Sequence, residues 1–257
     1  MSGKGNLTTP SDIVYVYDGS FAGFLCCVHE SVYSRCIPSA IFCETDMQPT
    51  LYTTLEIQTD PQKADRVQAS FRKKISARAE EIVETVFLSC LAEKELCLLR
   101  FLLLGYQLGA KVPDMIGHPD VAPVLAAERH LLGENHLLLG FVRFSDFGGV
   151  LASTITPKNF VLPFMTKHFT TRFSEEDFII YDKTHKAALV YQDHMHKIIP
   201  LEELQLPEPS EKEEAYRSLW KQFYKTIAIE ARYNPKCRMT HMPKRYWANM
   251  TEMQELL

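Results

Sequence analysis

The sequence predicts an α+β fold, with a mostly antiparallel sheet, a helical insertion, and a C-terminal helix and strap that close the chain. Residues 60–136 place apolar side chains at helical spacing, whereas residues 137–200 hold mainly short β-branched and aromatic runs separated by turns. Consecutive strands joined by short turns favour antiparallel pairing. A Pro- and Glu-rich linker then leads into one more amphipathic helix and a basic tail.

The chain opens with a predicted strand, turn and helix. Ile13–Tyr17 is β-branched and aromatic, Asp18–Ser20 favours a turn, and Phe21–Tyr33 has an apolar face. Asp18 and Gly19 therefore lie where a ligand could meet a helix N-terminus. Capped helices are common, so the pair is a candidate ligand position only.

Further elements follow in two blocks. Before residue 137 the patterns predict strands at Ala40–Cys43 and Leu51–Ile57, and helices from Asp60-Pro61, over Ala77–Leu91, over Leu96–Leu108 and from about Val121 to Asn135. After it they predict strands at Leu138–Phe144, Gly149–Thr156, Asp177–Asp182, Ala187–Gln192 and His194–Pro200, and helices at Leu162–Phe169 and Glu214–Ala231.

Three segments are expected: a flexible arm over residues 1–12, an α+β body over 13–205, and a linker, helix and basic strap over 206–257. The arm lacks the apolar region of a signal peptide, which favours a cytoplasmic protein. The most apolar run, Leu96–Ala110, is shorter than the roughly 18–20 residues of a membrane span. A buried helix and no membrane association are therefore expected.

Composition limits the function classes. The 257 residues are 46% hydrophobic and 23% charged, as in ordinary globular proteins. The net charge is −4, whereas a protein that coats nucleic acid is normally basic, so any such contact must come from a local patch. Seven irregularly spaced cysteines form no C-x-x-C motif, which favours buried, reduced thiols over a zinc or iron–sulfur site.

Two groups of side chains are candidates for acid–base chemistry. Glu134, His136 and Arg143 surround the predicted junction between helices and sheet, and together could act on a phosphate or a base. His168 and Arg172 lie four residues apart on a predicted helix and would form a positive edge. In both cases the alternative is ordinary charge at a helix end.

No metal or cofactor is expected. His194 and His196 alternate on a predicted strand and would share a face, but the only neighbouring acid, Asp193, would face the other way, so no Cys, Asp or Glu completes a ligand set there. The sequence also lacks the common phosphate-binding, nucleophile-elbow and zinc-protease motifs.

The tail from residue 232 to 247 is rich in groups that suit nucleic acids. It has no acidic side chain and holds Arg232, Asn234, Lys236, Arg238, His241, Lys244, Arg245, Tyr246 and Trp247. Guanidinium groups suit phosphates, Asn234 suits adenine, and Tyr246 or Trp247 can stack on a base. Two prolines are expected to break any helix. The alternative is a strap whose aromatic side chains pack on the core and whose arginines pair with surface acids.

Four motifs, in order, resemble one bacterial family. They are YVYDGSFAGFL (Tyr15–Leu25), GFVRF (Gly140–Phe144), LPFMTKHFTTRF (Leu162–Phe173) and MPKRYWANMTE (Met242–Glu252). The family is described as DNA-repair or DNA-metabolism proteins encoded beside a radical-SAM protein, with relatives fused to uracil-DNA-glycosylase-like domains. The resemblance implies DNA and a radical-SAM protein as partners.

The family pattern falls on Asp18, Gly19, Phe21, Gly23, Phe24, Glu134, His136, Gly140, Arg143, Phe144, Pro157, His168, Arg172, Phe173, Asp182, Trp220, Arg232, Asn234, Met242, Pro243, Arg245, Tyr246 and Trp247. This chain departs from it at His185, where relatives tend to have Arg in a D-x-x-R turn. It also departs at Cys237–Thr240, where a Gln-rich stretch is expected. The chain lacks the cysteines of a radical-SAM or clustered glycosylase centre, so a partner would have to supply such chemistry.

Three functions are open at this point. The first is an accessory component of a bacterial DNA repair or modification system, which binds nucleic acid, a radical-SAM partner, or both. The second is a metal-independent enzyme acting on a nucleobase or nucleotide through His and Arg. The third is a purely structural interaction protein whose tail packs inward, so that Trp247 is buried.

Overall fold

The computed structural model describes residues 10–47 and 49–254, and the chain divides into two compact units, Met1–His130 and Leu131–Leu257. Most of the predicted arm, residues 1–9, lies outside the described residues. Residues 10–12 belong to the first strand, because Pro10 and Ser11 pair with the neighbouring strand at Ile37 and Pro38.

Unit 1 opens with a small parallel sheet. Its strands are β1 (Pro10–Tyr17), β2 (Ile37–Cys43) and β3 (Thr53–Glu56), in the order β2-β1-β3. Helix α1 (Phe21–Ser34) carries the chain from β1 back to the start of β2, so the two strands run parallel. The central strand β1 is buried from Val14 to Tyr17, as expected of a strand covered on both faces.

Four helices follow: α2 (Pro61–Lys74), α3 (Ala77–Phe87), α4 (Lys94–Leu108) and α5 (Ala122–Phe141), the last of which continues into unit 2. The buried helix predicted at Leu96–Leu108 is confirmed by α4, which packs in the unit 1 core. The stretch Lys94–Asp114 reaches the mean hydropathy of a membrane span, 1.2, but half of its apolar window is buried, as in the core helix of a soluble protein. The cytoplasmic location stays a prediction.

The strand predicted at Leu138–Phe144 is wrong, because α5 continues to Phe141. Leu131, Glu134 and Leu138 are all buried and recur at spacings of three and four, which keeps one helix face inside the protein. Leucine is a good helix former, and neither Gly nor Pro interrupts residues 134–139. The sheet of unit 2 therefore begins only at β4 (Ser145–Asp146).

The sheet of unit 2 has the order β4-β5-β6-β7-β8, with β5 (Val150–Ile155), β6 (Asp177–Asp182), β7 (Ala187–Gln192) and β8 (Met195–Pro200). The two hairpins after β6 are antiparallel. The prediction of a mostly antiparallel sheet is wrong, because β5 and β6 are parallel and the three strands of unit 1 are parallel as well. Helix α6 (Leu162–Arg172) connects β5 to β6 and returns the chain to the end of the sheet at which β5 begins, so the two strands run in the same direction. Both helices and strands are present, so the broader α+β class holds.

The C-terminal region is more helical than predicted. Helix α7 (Glu211–Ile227) is followed by α8 (Pro235–His241), with 3-10 turns at Glu230–Arg232 and Lys244–Asn249. Pro235 starts α8 instead of breaking it, because the first helical position needs no backbone N–H donor. The hydrophobic core of unit 2 includes Leu138, Met165, Phe178, Tyr246 and Trp247.

Candidate functional site

Glu134 is the centre of a buried polar cluster in unit 2. Its side chain lies on the apolar face of α5 between Leu131 and Leu138, and the residue is 2% exposed. Tyr246 Oη donates to Glu134 Oε1 at 2.6 Å, and Arg245 Nη2 donates to the same oxygen at 3.0 Å. The backbone N–H of Lys158 (3.0 Å) and both the backbone and side-chain amides of Asn159 (2.8 and 2.6 Å) complete the set.

These donors fix the ionisation of the cluster. Burial by itself would raise the pKa of Glu134, but the hydrogen bonds from Tyr246, Lys158 and Asn159 outweigh it and hold the pKa below its ordinary value of 4.5. Burial and the neighbouring carboxylate raise the pKa of Tyr246. Glu134 is thus a carboxylate at neutral pH, and its oxygens are already occupied by hydrogen-bond donors, which suits a structural anchor better than a general base.

A second buried carboxylate anchors Arg143. The guanidinium donates from Nη2 to Glu252 Oε1 at 2.7 Å, and the indole Nε1 of Trp220 donates to Glu252 Oε2 at 2.9 Å. The Arg143 guanidinium also lies 5.5 Å from the centre of the Trp220 ring. Burial opposes ionisation of Glu252, yet the Arg143 hydrogen bonds leave its pKa lowered. Arg143 therefore holds α7 and the C-terminal segment together.

The two histidine candidates lie apart from these clusters. His136 is on α5 but exposed, because residues two apart on a helix point in roughly opposite directions. His168 and Arg172 do share an exposed face of α6, where they line a shallow hollow with Phe164. The structure thus brings His168 and Arg172 together, as predicted, but separates His136 from Glu134.

Asp18 and Gly19 lie in unit 1, in the turn between β1 and α1. Asp18 Oδ1 accepts the backbone N–H of Ser20 at 2.9 Å, and Oδ2 accepts the Thr59 hydroxyl at 2.8 Å. Gly19 has φ +80°, and a Cβ there would lie 2.7 Å from Cys43 Sγ. The carboxylate and the glycine shape the turn itself.

The tail separates into buried anchors and exposed cations. Trp247 is 2% exposed, and its indole Nε1 donates to the carbonyl of Met242 at 2.9 Å. Asn234 caps α8, since its Oδ1 accepts the N–H of Cys237 at 3.0 Å. Arg238 lies 5.2 Å from the centre of the Trp247 ring. Arg232, Lys236 and Lys244 are exposed, and no described residue forms an ion pair with them or with Arg238.

Two pairings of side chains were not predicted from the sequence. Glu252 is the acidic partner of Arg143, 109 residues away, and no local pattern signals that pairing. Asp182 is buried, and its carboxylate accepts hydrogen bonds from the Thr184 N–H at 3.0 Å and from His185 Nδ1 at 2.7 Å. The first and last side chains of the D-x-x-H turn are therefore bonded to each other. The acidic residue three positions before His185 was the sequence signal that could have predicted this hydrogen bond.

The H-x-H motif does not form as predicted. His194 lies in the turn before β8, with φ +60°, and only His196 is on the strand. Over residues 10–47 and 49–254, no group of three or more His, Cys, Asp or Glu side chains is arranged to hold a metal ion.

A family described as a domain of unknown function, DUF4130, matches residues 92–252. The match includes α4 to α8, both buried carboxylates and the basic tail. Searches of curated proteins and of solved structures found no match. Because the matched residues make up well over half of the sequence, the chain belongs to the DUF4130 family.

Proposed function

We propose that the protein binds nucleic acid through the exposed cations of its C-terminal segment, as an accessory component of a bacterial DNA repair or modification system. One observation carries the proposal. Residues 215–249 hold eight Lys and Arg residues and one acidic residue, in a chain of net charge −4. Such local concentration of positive charge is the electrostatic footprint of a phosphate-binding surface.

The arrangement of this segment supports the same reading. Arg245, Tyr246 and Trp247 fix it to the core of unit 2, so the neighbouring cations are held on a folded base. Arg232, Lys236 and Lys244 face outward. Tyr233 is 71% exposed beside them and offers a ring for stacking. The accessory role and the radical-SAM partner rest on the family resemblance.

The enzymatic alternative has less support from the geometry. Glu134 is saturated with donors, and both Arg143 and Arg245 are committed to buried carboxylates. The remaining candidates, His168 and Arg172, lie in an open hollow on α6. An interaction protein with an inward-packed tail matches the burial of Trp247 but leaves the exposed cations without a role.

The proposal is tested by fluorescence anisotropy with labelled single-stranded and duplex DNA over a salt series. The informative variant is Arg232→Ala/Lys236→Ala, because Arg238 and Arg245 also support the fold. Lys183→Ala/Lys197→Ala removes the same charge from exposed positions elsewhere in unit 2 and is the matched control.

We expect binding by the native protein that weakens with salt. The tail variant should lose about tenfold in affinity or more, and its salt slope should fall by about 1–2. The control should bind like the native protein. No binding by the native protein to either form of DNA, or an equal loss in both variants, would contradict the proposal.

A further inference from the structure

The apolar stripe of α7 faces outward. Tyr216, Leu219, Phe223 and Ile227 recur at helical spacing, yet each is at least half exposed. The helix is held to unit 2 by a different side, roughly a quarter-turn away, where Glu213 accepts the backbone N–H of Asp146 at 3.1 Å. An amphipathic helix that leaves its apolar face uncovered indicates a binding surface.

The stripe borders an open hollow. A cavity of about 830 Å³ has a lining that includes aromatic side chains, two arginines and one glutamate: Phe144, Tyr216, Trp220, Phe223, Arg143, Arg217 and Glu213. Its size lies within the range of roughly 300–1,000 Å³ typical of small-ligand sites. The lining combines aromatic rings with two guanidinium groups, each of which is paired with a carboxylate, Arg143 with Glu252 and Arg217 with Glu213.

The ring of Trp220 is held in place. Its Nε1 is bonded to Glu252, and the Arg143 guanidinium lies 5.5 Å from its centre. The centre of the Phe223 ring lies 5.7 Å from the centre of the Trp220 ring, with an angle of 31° between the ring planes. Rings fixed in this way can stack on a planar group at little entropic cost.

We infer that this hollow takes an unpaired base of single-stranded nucleic acid, an inference that rests on the proposed function. The charge of the surrounding segment selects this occupant. Aromatic residues and cations alternate along the chain from Tyr216 to Trp247, and only Glu230 interrupts the positive charge. A single strand can both cover the apolar stripe with its bases and complement the cations with its phosphates. Bases in a duplex are stacked on each other and cannot reach the rings.

The first experiment compares Tyr216→Ala/Phe223→Ala with Tyr33→Ala/Tyr52→Ala, which removes two exposed rings from unit 1. Trp220 is left unchanged because it also binds Glu252. We expect the α7 variant to lose about tenfold or more in affinity for labelled oligo-dT, with duplex binding unchanged. The control variant should bind both forms like the native protein.

The second readout is tryptophan emission. The chain has two tryptophans, of which Trp220 is 39% exposed and Trp247 is buried. Stacking of a base should quench the emission of Trp220 when oligo-dT is added, and adding duplex should leave it unchanged. Urea unfolding of each variant checks that the fold is intact.

The outcomes separate the inference from the proposed function. Salt-dependent binding of both DNA forms that is unaffected by Tyr216→Ala/Phe223→Ala overturns the inference and leaves the proposed function standing. The same holds if sedimentation shows a native dimer that this variant converts to monomer, because the stripe then joins two copies. No binding to DNA in any form overturns both.

Discussion

Tyr246 Oη lies 2.6 Å from Glu134 Oε1, although 112 residues separate the two in the chain. The bond joins the long helix α5 to the C-terminal segment inside the core of unit 2. It turns a carboxylate buried among apolar side chains into a satisfied group. Several expectations about stability depend on it.

Removing the Tyr246 hydroxyl should destabilise unit 2. In Tyr246→Phe the ring still packs, but Glu134 loses a donor to its charged oxygen, which should cost about 1.5–3 kcal/mol. Urea unfolding followed by tryptophan emission measures this, because Trp220 and Trp247 both lie in unit 2. Tyr233→Phe, at an exposed ring, is the control and should stay within about 0.5 kcal/mol of the native protein.

Acid should weaken unit 2. The pKa values of Glu134, Glu213 and Glu252 are lowered in the folded protein from the ordinary 4.5, so the unfolded chain takes up protons first as the pH falls. The stability they contribute is complete above pH 4.5 and is lost as the pH drops through the lower folded values. Urea unfolding between pH 7 and pH 3 checks this. A free energy of unfolding that stays constant over that range would contradict it.

Two helical glycines should respond oppositely to alanine. A Cβ at Gly105 in α4 would lie 2.5 Å from Ile75 Cδ1 and 3.1 Å from two further atoms of that buried side chain, so Gly105→Ala should cost about 1–3 kcal/mol. Gly133 in α5 has nothing within 4 Å, and Gly133→Ala should gain up to about 1 kcal/mol through helix propensity. Urea unfolding followed by far-UV circular dichroism compares the two. Equal effects would show that the contact with Ile75 is unimportant.

Thiol reactivity should separate exposed from buried cysteines. Cys237 is exposed on α8, whereas Cys26 and Cys27 are buried in α1, where burial raises the pKa of the Cys27 thiol. With Ellman's reagent, Cys237→Ser should remove one fast-reacting thiol from the native protein. Cys26→Ser should change only the total counted after unfolding in guanidinium. Rapid reaction of Cys26 in the native state would be inconsistent with this core.

Local signals in the sequence predicted much of the secondary structure. Asp60 and Pro61 mark the start of α2 because a capping carboxylate and a proline act within one turn. The parallel pairing of β5 with β6 was not predicted, because strand direction depends on where α6 returns the chain. The last turn of α5 was predicted as a strand, because a short apolar run suits either a helix or a strand.

The sequence identified the residues of the candidate site but not how their side chains pair. Glu134, Arg143, Arg245 and Tyr246 stand out in the sequence as polar or aromatic groups within motifs. Their pairing joins positions more than 100 residues apart, which no spacing rule reveals. The sequence left Arg245 either as a phosphate ligand or as the partner of an acidic side chain, and in the structure its guanidinium lies 3.0 Å from the buried Glu134 carboxylate.

The pairing of Glu134 with Tyr246 also determines when unit 2 can finish folding during translation. Glu134 is made 112 residues before the tyrosine that satisfies it, and the buried Met250 and Met253 come later still. Unit 1 draws its sheet and most of its helices from the first half of the chain, and domains fold as their residues emerge. Unit 2 instead cannot complete its core until Tyr246, Trp247, Met250 and Met253 have been translated. A nascent chain stalled before residue 246 would therefore expose the surface that chaperones recognise.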